Sequence, residues 1–126
     1  MILRGRDNVE STVVENIHGG SGKCEVRQLL GYEPRLDVPG FPDDFDSSIE
    51  FMHETTLRPG TKVGLHPQEG NEEIYYVIKG KGKMRIDDEV EEMTAGDVSL
   101  TKSGSKHSLE NIGDDDLVLI VIEASV

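Results

Sequence analysis

The stretch GTKVGLHPQEGNEEIYYVIKG, residues 60–80, decides the fold. Glycines stand at both of its ends, and Gly70 divides it into two short runs that contain β-branched and aromatic residues. Runs of this kind bounded by turn residues are typical of β-strands, and a short glycine-containing turn between two of them indicates a hairpin. We therefore predict an extended segment over 65–68, a turn at 69–71 and a strand, EIYYVIK, over 73–79.

Three side chains in this stretch have the chemistry of metal ligands. Side chains two positions apart in a strand project from the same face, so His66 and Gln68 share a face if residues 65–68 are extended. Pro67 between them fits only an edge strand or the end of a strand. The hairpin can then bring Glu73 back across from His66 and Gln68.

A second stretch, GDVSLTKSGSKHSLEN at residues 96–111, supplies His107. This histidine must come from another part of the sheet to complete a site with His66, Gln68 and Glu73. Two imidazoles, one carboxylate and one amide oxygen around a point suit a borderline divalent ion such as Mn, Fe, Co, Ni or Zn. The two stretches together predict a site for a divalent transition metal whose identity stays open.

The rest of the chain repeats the pattern of short strands and turns. No long segment shows helical periodicity with a capping residue ahead of it. Strands are predicted at 24–30, 48–57, 82–87, 97–102, 106–112 and 116–124, in addition to 73–79. This spacing predicts an all-β fold, an antiparallel sandwich or barrel. Both faces of 73–79 and 117–122 are apolar, which places these strands centrally or at a subunit contact and predicts a homodimer.

Length, charge and cysteine content limit the functions available to the chain. We expect its 126 residues to form a single domain, 1–126, with N-terminal strands and loops over 1–47 and the barrel core over 48–126. The net charge of −12 argues against nucleic acid as a partner, and no apolar run is long enough to span a membrane. The N-terminus lacks the apolar stretch of a signal peptide, and Cys24 is the only cysteine, so a cytoplasmic location is predicted.

The two stretches resemble the two sequence motifs of the cupin superfamily. The positions that match the first motif are Gly60, His66, Gln68, Glu73 and Gly80, with glutamine where a second histidine is usual. Those that match the second are Gly96, Gly104, His107 and Asn111, with Lys102 where proline is usual. The resemblance spans about half the chain. It implies a cupin double-stranded β-helix, a jelly-roll-like barrel of antiparallel strands, with a metal inside its mouth held by His66, Gln68, Glu73 and His107.

Gln68 leaves three outcomes open for that site. If its amide oxygen binds, the site has two nitrogen and two oxygen ligands and favours harder ions such as Mn or Fe(II). If it does not bind, His66, Glu73 and His107 form a two-histidine, one-carboxylate triad with additional open positions, an arrangement characteristic of oxygen-activating Fe(II) sites. The third outcome is a weakened or lost metal site, with the histidines structural.

Two further residues are candidates for a catalytic role, His53 and Tyr75. His53 alternates with Phe51 and Thr55 in a predicted strand, so it can line the barrel interior, either as a core histidine or as a functional one. Tyr75 lies two residues after Glu73 and should face the same way, as a pocket wall, a proton donor or ordinary core. The glycine turn HGGSGK (18–23) does not match a phosphate loop, and His18, which lies in this turn, is expected to be exposed.

These observations favour a small metal-dependent enzyme that acts on a small oxygen-rich metabolite. A dioxygenase, a lyase and an isomerase all remain open, since the fold implied by the resemblance does not choose among them. The main alternative is a non-catalytic module that binds or senses a small ligand at the same barrel mouth. A sugar-phosphate isomerase would need a basic pocket, for which Arg58, Lys62, Lys83 and Arg85 are available.

Overall fold

A computed structural model describes residues 1–126 and contains ten β-strands and two short 3-10 turns. The strands are β1 (Ser11–Glu15), β2 (Lys23–Gly31), β3 (Ile49–Leu57), β4 (Lys62–Pro67), β5 (Asn71–Lys79), β6 (Lys81–Ile86), β7 (Glu89–Thr94), β8 (Val98–Thr101), β9 (Lys106–Asn111) and β10 (Leu117–Ser125). The turns are Arg6–Asn8 and Ile17–Gly19. No helix has the length and the apolar character needed to cross a membrane.

The strands form two antiparallel sheets. The six-stranded sheet has the order β1-β2-β3-β10-β5-β8, and the four-stranded sheet has the order β4-β9-β6-β7. One buried apolar cluster draws its members from both sheets, with Phe51, Leu57 and Leu119 from the first and Val63, Met84 and Leu109 from the second. The prediction of an all-β, jelly-roll-like barrel of antiparallel strands is confirmed.

The interior is apolar at one end and polar at the other. Alternate residues of β10 point inward, and the series passes from Leu117 and Leu119 through Val121 to Glu123, all buried. Burial of each leucine side chain stabilises the fold by about 1.5–3 kcal/mol relative to exposure. Strand β3 follows the same course with Leu57 at the apolar end and His53 further along. The register therefore collects buried polar side chains at one end of the barrel.

Each of the seven predicted strands is present, with ends that differ by up to two residues. Strands β1 and β7 were not among them, and β4 was predicted only as the extended segment over 65–68. The predicted hairpin across 69–71 is wrong, because β4 and β5 lie in different sheets and the segment between them crosses from one sheet to the other. Strand β7, sequence EVEEMT, is exposed at all but one position, so it lacks the hydrophobic alternation that marks a half-buried strand. Strand β4 is an edge strand that ends at Pro67, as the proline required.

The prediction that β5 is covered on both faces is wrong for the single chain. Strand β5 lies between β10 and β8, but its outward side chains Tyr76 and Ile78 are 46% and 47% exposed. Only its inward face, which includes Glu73, Tyr75 and Val77, packs into the barrel. Its outer face is apolar and exposed in the single chain.

The segment between β2 and β3, residues 32–48, crosses one end of the barrel. The buried amide of Gln28 holds it there, because its nitrogen donates to the carbonyls of Glu33 and Val38 and its oxygen accepts from the N–H of Glu33. Arg35 of the same segment donates to Glu123 of β10 at 2.7 Å. The segment therefore forms part of the wall at the polar end of the barrel.

Candidate metal centre

Three strands bring the predicted ligands together at the polar end of the barrel. Strands β4 and β9 pair antiparallel with His66 directly opposite His107. Glu73 lies on β5 with its side chain directed inward. Gln68 follows β4, and its backbone N–H donates to the carbonyl of Ser105 at 2.9 Å. The four residues are all buried.

Three of these side chains point ligand atoms at one another. The Nε2 atoms of His66 and His107 lie 3.0 Å apart, and Nε2 of His107 lies 3.3 Å from Oε1 of Glu73. One ligand atom from each of the three residues falls within 4.8 Å of the others. Two nitrogens at about 2.1 Å from one ion are about 3 Å apart in adjacent octahedral positions, so the spacing fits a shared ion.

The second nitrogen of each histidine fixes the orientation of its ring. Nδ1 of His66 donates to the carbonyl of Gly64 at 2.7 Å, and a carbonyl only accepts, so Nε2 carries the lone pair. Nδ1 of His107 lies 2.8 Å from the hydroxyl of Thr101, which can accept its proton in the same way. Such outer partners select the tautomer in which Nε2 is free to bind a metal.

The electrostatics of the group call for a positive charge at its centre. Burial alone would raise the pKa of Glu73, but the hydrogen bond and the charge of His107 outweigh it and hold that pKa below its ordinary value. Burial lowers the pKa of His66, so its ring is neutral at pH 7. A carboxylate and an imidazole lone pair that face each other in a buried site are stabilised by a shared cation, either a proton or a metal ion.

Gln68 completes the group with an unsatisfied atom. Its amide nitrogen lies 3.1 Å from Nε2 of His107, while its amide oxygen is buried and has no hydrogen-bond partner. Rotation of the amide by 180° exchanges the two atoms and turns the oxygen toward His107. An orphaned oxygen beside two imidazoles and a carboxylate fits the predicted set of two nitrogen and two oxygen donors.

A small cavity of about 40 Å³ lies against this group. Its wall includes His66 and Glu73 together with both candidate catalytic residues, His53 and Tyr75. A single water needs about 10–15 Å³ by the same measure, so the cavity has room for a ligand of only a few heavy atoms. Nine of its sixteen lining residues are hydrophobic, so polar side chains are the minority in its wall.

His53 and Tyr75 both lie in this wall, and their surroundings determine the protonation state of each side chain. Nδ1 of His53 lies 2.7 Å from the hydroxyl of Thr55, and burial lowers the pKa of His53 to about 4, so its ring is neutral. The ring of Tyr75 stacks 4.9 Å from that of His107. Burial, and then the charge of Glu73, raise the pKa of Tyr75 well above its ordinary value, so the phenol keeps its proton.

The sequence did not predict that two further residues, His18 and Arg35, lie near the site. His18 is exposed as expected, but its ring stacks on His66 with the ring centres 3.6 Å apart. Arg35 lines the cavity and binds the carboxylates of Glu33 and Glu123, the latter 88 positions away in the chain. Neither contact has a local sequence signal, because each depends on where a loop lies against a distant strand.

Comparisons of sequence and structure relate this chain to known proteins. The model of the cupin domain family matches residues 53–123. The chain is 34% identical over 122 residues to the oxalate-binding protein of Thermotoga maritima, which covers 97% of this chain and 92% of that one. It superposes on the crystal structure of a predicted oxalate decarboxylase from Thermotoga maritima with a TM-score of 0.83, 31% identity and full coverage of both chains. The cupin domain of Schizosaccharomyces pombe Cnp3 superposes with a TM-score of 0.68 at 16% identity, over 91% of this chain and 69% of that one, which shows a common fold.

Proposed function

The chain belongs to the cupin family, and on that premise we propose that it binds a divalent transition metal and, through it, a small dicarboxylate of the oxalate class. The observation that carries this proposal is the convergence of His66, Glu73 and His107 on one point in the wall of a very small cavity. The sequence-based resemblance to cupins is confirmed.

The residues present fit a metal ion. His66, Glu73 and His107 would hold it through two nitrogens and one oxygen, and Gln68 would add its unpartnered amide oxygen. This mixed set of nitrogen and oxygen donors suits Mn or Fe(II) as well as Co, Ni or Zn. When bound, such an ion polarises ligand oxygens and neutralises their negative charge.

The size and lining of the cavity define the class of ligand. A volume of about 40 Å³ accommodates a molecule of a few heavy atoms and is small for a sugar phosphate. The basic side chains suggested for phosphate binding do not line the cavity, and Arg58 is instead paired with Glu25 and Asp116. The related protein of Thermotoga maritima is named for oxalate, a compact dianion with four oxygens. A sugar-phosphate isomerase is therefore not supported.

A lyase acting on the same ligand is the second candidate. Tyr75 and His53 both face the cavity, and the phenol of Tyr75 keeps its proton at neutral pH. Loss of CO₂ from the oxalate dianion breaks its C–C bond, and the remaining carbon takes up one proton to give formate, so the reaction is balanced without an oxidant. In this proposal the phenol of Tyr75 supplies that proton, whereas the neutral ring of His53 can only accept one. Under this proposal Tyr75 and His53 are catalytic; under the binding proposal they only line the wall.

Titration of oxalate into the metal-loaded protein tests the proposal. We expect saturable heat at one oxalate per chain with manganese bound and no heat after removal of the metal with EDTA. Malonate, one carbon longer, is the matched control, and the small cavity predicts at least tenfold weaker binding for it. Absence of oxalate binding to the manganese-loaded protein would refute the ligand assignment. Release of formate from oxalate, lost in Tyr75→Phe or His53→Ala, would select the lyase.

We also propose that the protein acts as a homodimer through the outer face of β5 and β8. Tyr76 and Ile78 on β5 continue into Val98 and Leu100 on β8, which are 63% and 46% exposed. A contiguous apolar patch on a chain with a net charge of −12 is where a second copy meets the least repulsion. Light scattering should give twice the chain mass for the wild type and one chain mass for Leu100→Asp. A monomeric wild type at tens of micromolar would refute the dimer.

A further inference from the structure

The turn that carries His18 lies directly against the metal centre. The ring of His18 stacks on the ring of His66 with centres 3.6 Å apart and planes 11° apart. His18 also lines the small cavity, so one face of a predicted metal ligand is covered by a side chain from the N-terminal part of the chain.

Backbone contacts fix the turn in this place. Ser21 and Lys62 exchange two hydrogen bonds of 2.9 Å, which tie the turn to the start of β4. Glycines allow the close approach, because a Cβ on Gly20 would overlap the carbonyl of Lys62 and one on Gly64 would overlap the carbonyl of His18. The position of His18 over His66 is therefore set by the backbone and not by a mobile side chain alone.

His18 keeps this position in an unfavourable backbone conformation. Its φ of 52° and ψ of 38° lie in the left-handed region, where glycine is the favoured residue. Asn16 of the same turn has a φ of 54°, but its exposed side chain is not part of the cavity wall. The fold thus holds His18 in a conformation that its residue type disfavours, and strained residues of this kind cluster at functional sites.

We infer that His18 is a positioning residue of the metal centre, which holds the ring of His66 in the orientation that presents Nε2 to the ion. Three contacts then define that ring: the hydrogen bond from Nδ1 to Gly64, the edge contact with His107 and the stack with His18. Gly64 contributes to two of these contacts. Its carbonyl accepts the hydrogen bond from His66, and because it has no side chain the turn that carries His18 can pack against it. The inference rests on the proposed metal site.

The test compares His18→Gly with Asn16→Gly, because both relieve a left-handed backbone and only the first removes the stack. We expect the melting temperature of the metal-free protein to be unchanged or higher in both variants. Manganese affinity measured by calorimetry should fall about tenfold or more in His18→Gly, the size of effect found when an outer partner of a ligand is lost. It should stay within twofold of wild type in Asn16→Gly, and His18→Phe should restore part of the loss.

Nitrogen NMR of the imidazoles gives a second readout that needs no metal. In the wild type His66 should show the single tautomer protonated at Nδ1, and in His18→Gly its signals should broaden or average between tautomers. Wild-type affinity together with an unchanged His66 tautomer in His18→Gly would overturn the inference. A wild type that binds no manganese would instead refute the proposed function, and the tautomer of His66 would still decide whether His18 positions it.

Discussion

Replacement of Gln68 by methionine should stabilise the metal-free protein and weaken its metal binding at the same time. Gln68 is fully buried, and its amide oxygen has no partner. A buried acceptor without a partner costs about 1–3 kcal/mol, whereas the single bond from its nitrogen to His107 contributes about 0.5–1.5 kcal/mol. Methionine has a similar length and no polar amide, so the net gain is about 1 kcal/mol.

For a chain of this size, about 1 kcal/mol corresponds to a rise of about 3–5 °C in melting temperature. Calorimetric scans of the EDTA-treated protein measure this shift. Manganese titration of the same variant should show affinity reduced at least tenfold, because the thioether of methionine is a poor ligand for a hard ion. Both changes have one cause, the removal of a buried amide that costs stability in the metal-free protein and contributes to metal binding.

Gln28 provides the matched control, because it is equally buried but has its amide fully bonded. Its nitrogen donates to two carbonyls, of Glu33 and Val38, and its oxygen accepts from the N–H of Glu33. Gln28→Met leaves these three backbone groups unpaired and should cost at least about 2 kcal/mol. The reasoning is refuted if Gln68→Met lowers the melting temperature as much as Gln28→Met does, or if it leaves manganese affinity unchanged.

Three further predictions concern the surroundings of the site. Thr101→Val removes the hydroxyl 2.8 Å from Nδ1 of His107 and should reduce manganese affinity about 10–100-fold by calorimetry, with little change in fold by circular dichroism. Gln68→His should tighten metal binding, since imidazole is a stronger donor than an amide; equal affinity would place position 68 outside the coordination shell. Burial, followed by the hydrogen bond with Glu50, raises the pKa of Glu123 to about 9 despite its ion pair with Arg35. Its folded pKa exceeds the unfolded value, so this contribution to stability is complete below about pH 4.5 and is lost as pH rises through about 9. Urea unfolding at pH 6 and pH 9 should therefore show a smaller loss of stability for Glu123→Gln than for the wild type, and equal losses would contradict the assigned pKa.

Strand periodicity was enough to predict that His66 and Glu73 share the barrel interior, although the strands that carry them lie in different sheets and do not form the predicted hairpin at Gly70. His107 joined them only through the resemblance to the cupin motifs, because its pairing opposite His66 has no local sequence signal. Strand β3 was predictable from its short β-branched and aromatic run, and β10 from the continuous apolar run over 117–122. Strand β7 was not, because its residues are nearly all exposed and its pairing with β6 is what makes it a strand.

Contacts between distant loops and strands could not be read from the sequence. The stack of His18 on His66 depends on two glycine backbones, Gly20 and Gly64, that come together only in the folded barrel. The ion pair of Arg35 with Glu123 joins positions 88 residues apart. The cavity volume could not be predicted either, because it is a property of the packed interior. This volume narrows the predicted ligand class from oxygen-rich metabolites in general to molecules of a few heavy atoms.

The central claim is that His66, Glu73 and His107 hold one divalent ion between them, and metal content measured together with binding stoichiometry tests it most directly. The purified protein, dialysed against manganese and analysed by elemental mass spectrometry, should contain one ion per chain, and His107→Ala should contain essentially none while it keeps its β-sheet circular dichroism. A folded wild type that takes up no metal from any of Mn, Fe, Co, Ni or Zn, and whose melting temperature does not rise with them, would contradict the account and leave a proton as the cation between these side chains.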